Sequence, residues 1–382
     1  MREKKMRLAK TIVLSFLTLA GCANPPVLQL PSDECEVIAM LKEGVTREPE
    51  VGQIINRFEM GKKYLVIRLL PGESLKTLRA DPGVEVALPN RPLPKMGQPD
   101  DPLLSLQWAF ERIKPQPCWD RLIDASKVTV AVLDTGIDYE HPDLAGRVIK
   151  GFNFADNNED VMDREGHGTH VAGIIGAAGN NEKGVCGVLW NVRLLAVKVL
   201  NQDGGNDASA LAGIRYAVDH GARVINLSFN SNNTSVNPLY ATALEYARKQ
   251  GALVVAAAGN NGGEVTYPAN TPGCLTVSAT GNFRHWEWLS PFSNRGESVT
   301  YSAPGAAILS TVPKGGYESY SGTSMAAPFV TGAIATLMAL HPDWNLDQIE
   351  NRLAAATDDL GDPGRDPLYG IGRINLSKLL DP

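Results

Sequence analysis

The chain has 382 residues, with 36 Lys plus Arg against 42 Asp plus Glu, a net charge of −6. It lacks the bulk positive field that non-specific phosphate binding needs, which excludes a nucleic-acid coat. Hydrophobic content of 43%, charged content of 20% and five Cys exclude a disordered chain, collagen, a polytopic membrane protein and a disulfide-built scaffold.

The chain opens on a basic segment, with Arg2, Lys4, Lys5, Arg7 and Lys10 against Glu3. Residues 11–20 are apolar apart from Thr and Ser, and Leu19-Ala20-Gly21-Cys22 follows. A basic start, a short apolar run and small residues read as a secretory signal over 1–21. The run is shorter than the roughly 20 residues a stable span needs. Leu-Ala-Gly-Cys resembles the bacterial lipobox. That resemblance implies cleavage before Cys22 and acylation of its thiol and amine; the alternative is an ordinary soluble cut near Ala20 or Ala23. Each buried acyl CH₂ adds about 0.8 kcal/mol to anchoring. Residues 1–21 carry five basic and one acidic side chain, so their removal takes the net charge from −6 to −10. Nothing after Cys22 reads as long and apolar enough to cross a bilayer.

Residues 22–33 read as a tether, and 34–90 as a small α+β module. Its expected elements are a strand over 36–41, a helix over 49–60, a strand over 64–70, a short helix over 73–79 and a strand over 84–88. The helix at 49–60 rests on Val51, Ile54, Ile55 and Phe58 sharing one helical face. Prolines at 89, 92, 94, 99 and 102 mark a linker over 91–103.

From 104 to 382, apolar runs at 128–133, 192–200, 224–229 and 253–258 alternate with helical stretches near 168–178, 208–220 and 238–250. Buried strands alternating with helices argue for an α/β fold, a parallel twisted sheet covered on both faces. In such sheets the active crevice lies at the carboxyl ends of the strands. Asp134, Asn226, Ser228 and Asn260 all stand at or just past such ends.

Three motifs carry chemistry: Val132-Leu133-Asp134-Thr135-Gly136-Ile137-Asp138, Gly166-His167-Gly168-Thr169-His170-Val171-Ala172-Gly173 and Gly322-Thr323-Ser324-Met325-Ala326-Ala327-Pro328. Ser324 begins an apolar helix running to about Leu340, so backbone N–H groups and the positive dipole end stand beside it. A neutral hydroxyl needs a base of matched pKa, a His supplies one, and a buried carboxylate holds that His in the right tautomer. Taken singly each residue has a plainer reading. Asp134 suits a strand-end turn, Ser324 a helix cap, and His167 with His170 a metal pair that lacks a third ligand motif. Taken together, in the order Asp, His, Ser, the motifs resemble those of the subtilisin-like serine peptidases, the subtilases, over roughly 101–381.

The resemblance implies that Asp134 orients His167, that His167 is base and acid, and that Ser324 attacks a peptide carbonyl. Asn260, in Ala256-Ala257-Ala258-Gly259-Asn260, is implied as an oxyanion donor beside the Ser324 N–H. Losing one such donor costs about 3–4 kcal/mol, the magnitude found in subtilisin itself. Polypeptide substrates are implied to pair with Gly204-Gly205-Asn206 and Ser228-Phe229-Asn230. Asn230 stands where the family usually has Gly, and Thr266 where a pocket floor is often Gly, so a narrowed or polar-floored first pocket is expected. A structural Ca²⁺ is implied at Asp143 and Asn181, with Gln107 completing the site and the Gly179–Val185 loop supplying carbonyls. A second acidic run, Asp156, Asp160 and Asp163, reads more readily as a solvated loop than as another ion site. His141 reads as a turn residue. Subtilases commonly carry an N-terminal propeptide, so the 34–90 module is implied to assist folding and block the cleft. No disulfide is assigned. The alternatives to an exported, lipid-anchored serine endopeptidase are an inactive subtilase-like binding protein and an esterase using the same triad.

Overall fold

The computed structural model describes residues 36–90, 99–121, 123–231, 233–283 and 286–380. The signal segment, Cys22, the tether and linker residues 91–98 lie outside them. The chain divides into two compact units at Leu93/Pro94.

The first unit is an antiparallel sheet with one helix. Strands β1 (Glu36–Leu41), β2 (Gln53–Glu59), β3 (Lys63–Arg68) and β4 (Val84–Pro89) stand in the order β2-β3-β1-β4, and α1 (Leu75–Arg79) precedes β4. Period-two alternation sends Val37, Ala39 and Leu41 of β1 inward with Leu65, Ile67, Ala87 and Leu78 of α1. The opposite face is also apolar. Ile38 pairs with Val66 and Leu88, Met40 with Tyr64 and Val86, and Val86 and Leu88 are exposed.

The expected helix at 49–60 is instead β2. Its backbone bonds are spent on β3, with Ile54 opposite Ile67 and Phe58 opposite Tyr64. Gly52 and Gly61 bracket it in left-handed conformations, and the β-branched pair Ile54-Ile55 suits a pleated strand. The residues chosen for a helical face do not form a buried stripe, because Ile55 and Phe58 are exposed.

In the second unit α2 (Ala109–Ile113) and α3 (Gln116–Asp120) lead into β5 (Thr129–Asp134), β6 (Val148–Asn153), α4 (His167–Gly176) and β7 (Arg193–Lys198). A short hairpin β8 (Leu200–Asn201) and β9 (Gly204–Gly205) precedes α5 (Asp207–Asp219), β10 (Val224–Leu227), α6 (Pro238–Lys249) and β11 (Leu253–Ala257). Then come β12 (Leu275–Phe283), β13 (Trp286–Leu289), β14 (Val299–Pro304), hairpin β15 (Ile308–Val312) and β16 (Gly316–Tyr320), α7 (Thr323–Leu340), α8 (Leu346–Ala355), β17 (Thr357–Asp358) and β18 (Arg373–Ile374).

The main sheet runs β17-β18-β14-β12-β11-β10-β5-β7-β6, with β13 attached to β12. Every pair from β18 to β6 is parallel; β13 and β17 are antiparallel. All six residues of β5 are buried, as a strand covered on both faces requires. Val130 and Val132 face the core of α4, α7 and α8; Ala131 and Leu133 face that of α5 and α6. By length and apolarity α7 passes for a membrane span, but 89% of it is buried in this core. Cys118, Cys186 and Cys274 are buried free thiols.

Candidate active site

Strand register assembles the rim. β10 runs beside β5 with Leu227 opposite Leu133, so the next residues, Ser228 and Asp134, emerge side by side. Asp134 is fully buried. Its Oδ1 accepts from the Thr135 amide (2.8 Å) and meets His167 Nδ1 at 2.7 Å.

His167 opens α4, and its approach is sterically exacting. A Cβ on the next residue, Gly168, would lie 2.1 Å from the Gly136 carbonyl oxygen and 3.0 Å from Asp134 Cβ. Only glycine lets the helix start so close to the carboxylate. Burial by itself would push the His167 pKa down, but the charge and hydrogen bond of Asp134 outweigh it and the pKa is raised.

Ser324 enters from α7, whose N-cap is Gly322. Its hydroxyl donates to the Ser228 carbonyl oxygen (3.0 Å), and the Ser228 hydroxyl donates to the Ser324 carbonyl oxygen (2.9 Å). This reciprocal pair fastens the start of α7 to the exit of β10, one strand from Asp134. Asn226 supports it, donating to Ser228 Oγ (2.8 Å) and accepting from Thr331 of α7 (2.8 Å). Asn260 Oδ1 accepts from the Thr323 amide (2.8 Å) and hydroxyl (2.9 Å). The amide orientation is thereby set, and Nδ2 is the atom left to donate.

Sequence reasoning passed over the group beneath His167. Asp163 belongs to the run read as a solvated loop, yet it is buried. Its Oδ1 accepts from Thr135 Oγ1 (3.0 Å) and the amides of Glu165 and Gly166; its Oδ2 accepts from the Thr169 amide (2.9 Å) and hydroxyl (2.6 Å). It ties the first two motifs together, and only its place just ahead of His167 hinted at this. Asp156 and Asp160 are exposed, their carboxylates held by Asn201, Asn153, Met162 and Arg164. His141 stands in a turn, as expected, and is buried there, spanning the Gly316 carbonyl and the Asp143 amide. His170 lies behind the site, with Nε2 3.0 Å from the Glu318 carbonyl oxygen. Burial pushes its pKa down to about 4.

Gly204, Gly205 and Asn206, all exposed, line a cleft of about 490 Å³ together with half-buried Phe229, exposed Asn230, Tyr240 and Tyr267. The Asn206 side chain also caps α5, accepting from the Ser209 amide. Asn230 Nδ2 donates to Thr266 Oγ1 (3.0 Å) and the Ser231 carbonyl (3.1 Å). The same nitrogen would stand 2.9 Å from a Cβ on Gly259, which has φ +114°. One amide thus fills the space between the exits of β10 and β11 and the Thr266 segment.

The residues expected to hold calcium are engaged with protein groups. Gln107 is tied at both amide atoms to the Cys186 backbone. Asn181 takes the Lys183 amide on Oδ1 and turns Nδ2 to Asp143 (3.0 Å). Asp143 is fully buried and also accepts from the Val185 amide (3.0 Å) and the Tyr317 hydroxyl. Asp101, which sequence reasoning missed, is buried beside Cys186, whose thiol donates to its Oδ2 (3.0 Å), and its Oδ1 has no protein partner. Both carboxylates act on Cys186 and Tyr317, so they share one neighbourhood. A buried carboxylate oxygen without a donor beside a second buried carboxylate fits a hard cation. No cluster of three or more His, Cys, Asp or Glu suited to a metal occurs among the described residues.

A family model described as the subtilase family matches residues 125–372. A thermophilic serine proteinase of Bacillus sp. (strain AK1) is 38% identical over 354 residues, covering 89% of this chain and 86% of its own. Thermitase of Thermoactinomyces vulgaris is 38% identical over 285 residues, covering 73% of this chain and 98% of its own. Among solved structures, a protease from Pseudoalteromonas arctica superposes with a TM-score of 0.67 at 29% identity, covering 74% of this chain and 98% of its own.

Proposed function

The chain belongs to the subtilase family and is a serine endopeptidase, and from that premise we propose that Asp134, His167 and Ser324 are its catalytic triad. The observation that carries this is the 2.7 Å contact of buried Asp134 with His167 Nδ1, one strand away from the residue to which Ser324 is bonded. Before attack the Ser324 hydroxyl exchanges its bond to Ser228 for one to His167 Nε2. Nε2 takes the proton as Oγ adds to the peptide carbonyl, and Asp134 stabilises the imidazolium. Asn260 Nδ2 and the Ser324 amide donate to the oxyanion. Nε2–H then protonates the leaving amine, and a water repeats the cycle on the acyl-enzyme.

The substrate runs as an added strand between Gly204-Gly205-Asn206 and Ser228-Phe229-Asn230. The side chain next to the scissile carbonyl falls between the exits of β10 and β11, where the Asn230–Thr266 clasp leaves room for a small residue. Asp101 and Asp143 hold a structural Ca²⁺; the unpartnered Asp101 oxygen supports this. The 34–90 module acts as folding aid and inhibitor, a role supported by its second apolar sheet face. Cys22 anchors the exported chain to a membrane. The deciding experiment is labelling with a fluorophosphonate probe. Label on Ser324 that is lost in Ser324→Ala and strongly slowed in His167→Ala is expected; equal labelling of the parent and His167→Ala refutes the triad.

A further inference from the structure

The cleft of about 490 Å³ beside Gly204-Gly205-Asn206 is lined by one carboxylate, Asp207, and by no Lys, Arg or His among the described residues. Asp207 follows directly on that segment and opens α5, whose positive end suits a negative charge. Its Oδ1 accepts from the Tyr240 hydroxyl (3.1 Å) and its Oδ2 from Asn237 Nδ2 (3.2 Å). Both contacts are long beside the usual ~2.8 Å for O–H···O and ~2.9 Å for N–H···O bonds. Neither donor is charged. A carboxylate offers about four acceptor sites, so these two bonds leave half of them unspent. The walls around it are aromatic. Phe229, Tyr240 and Tyr267 line the cleft, with the Tyr240 and Tyr267 ring centroids 5.7 Å apart. Burial and the Asp207 charge push the Tyr240 pKa up, so its hydroxyl stays a donor to the carboxylate.

We propose that Asp207 is a specificity-determining residue, drawing an Arg or Lys side chain of the substrate, at a position other than P1, into this cleft. It deepens the reading of the substrate as a strand added at Gly204-Gly205-Asn206 and Ser228-Phe229-Asn230, and rests on that reading. The chemistry of the lining selects among side chains. An acidic one is repelled by the carboxylate. An apolar one strips water from the unspent acceptor sites and returns no donor to them. A guanidinium or ammonium returns charge-assisted donors, and aromatic faces attract its cationic head. The apolar stem of the same side chain lies against Val199, Leu200 and Ala210, which complete the lining. The bonds to Tyr240 and Asn237 hold the carboxylate between α5 and α6, so little order has to be gained when the cation arrives.

The test uses the full chain and internally quenched peptides with Ala at P1, their cleavage sites read by mass spectrometry. Lys and norleucine, alike in stem and different in charge, are placed in turn at every other position from P4 to P2′. The readout is the Lys-to-norleucine ratio of kcat/KM within one protein, which cancels any general loss of activity. One position should favour Lys by at least about fivefold, an effect between those of an exposed ion pair and a charged hydrogen bond. Asp207→Asn should abolish that preference, Asp207→Glu should keep most of it, and salt at about 0.5 M should weaken it. Tyr240→Phe removes the tie to α6 and leaves the charge, so the preference should survive there. Cleavage with no Lys preference at any position overturns the proposal and leaves the triad standing. Equal preference in the parent and Asp207→Asn overturns it as well. So does equal loss in Tyr240→Phe and Asp207→Asn, which would make the effect one of helix placement. Absence of both cleavage and fluorophosphonate label on Ser324 sinks the triad and this proposal with it.

Discussion

Replacing Asn230 by Gly removes the amide that bridges Thr266 and abuts Gly259. In the parent, a large P1 side chain has to displace that amide, breaking its bonds to Thr266 and Ser231. In the variant, a P1 Phe ring enters the vacated space. Full burial of such a ring contributes about 1.5–3 kcal/mol. At about 1.4 kcal/mol per factor of ten, kcat/KM for P1 Phe should rise by about 10- to 150-fold. P1 Ala reaches little of the new volume and should change less than about threefold. The lost hydrogen bond costs the fold about 1 kcal/mol and a flexible Gly about as much again, so melting should fall by a few degrees. Two chromogenic tetrapeptides differing only at P1, assayed on both proteins, supply the ratio. A parent that already cleaves the Phe substrate as well as the Ala one refutes the clasp. So does a folded Asn230→Gly protein with an unchanged ratio.

Other outcomes follow from the charged groups. With the His167 pKa raised by Asp134, the fluorophosphonate labelling rate should climb with pH through a midpoint above the ordinary His value of about 6.5. Asp134→Asn should lower that midpoint and cut the rate. His170 works in the opposite sense on stability. Its folded pKa of about 4 lies below the unfolded value, so the unfolded chain takes up the proton first and stability falls as pH drops from about 6.5 to 4. The full loss is about 3 kcal/mol, and chemical denaturation of His170→Gln at both pH values should show a flatter profile. EDTA should lower the melting temperature of the parent but not of Asp101→Asn; identical EDTA shifts in the two would place any ion elsewhere.

The chemistry was legible from residue order because each motif is local. The Asp, His and Ser segments each combine a strand end or helix start with glycines that permit close approach, and alternating apolar runs declare a parallel sheet. The error at 49–60 arose because Val51, Ile54, Ile55 and Phe58 satisfy a helical period as well as a strand's. Pairing with β3 decided between them, and pairing is not written in any one segment.

What residue order determined alone was which family motifs the chain carries and which kind of sheet presents them, because periodicity and motif chemistry are properties of neighbours along the chain. Tertiary structure decided how those groups meet. The Leu227–Leu133 register put Ser228, to which the Ser324 hydroxyl donates, beside Asp134, and Asp163 became a buried strut and not a solvated loop. Asn230 closed on Thr266, and Asp101 and not Gln107 kept a spare oxygen. Each outcome depends on which distant segment comes within about 3 Å of another, and only the packed sheet sets that distance.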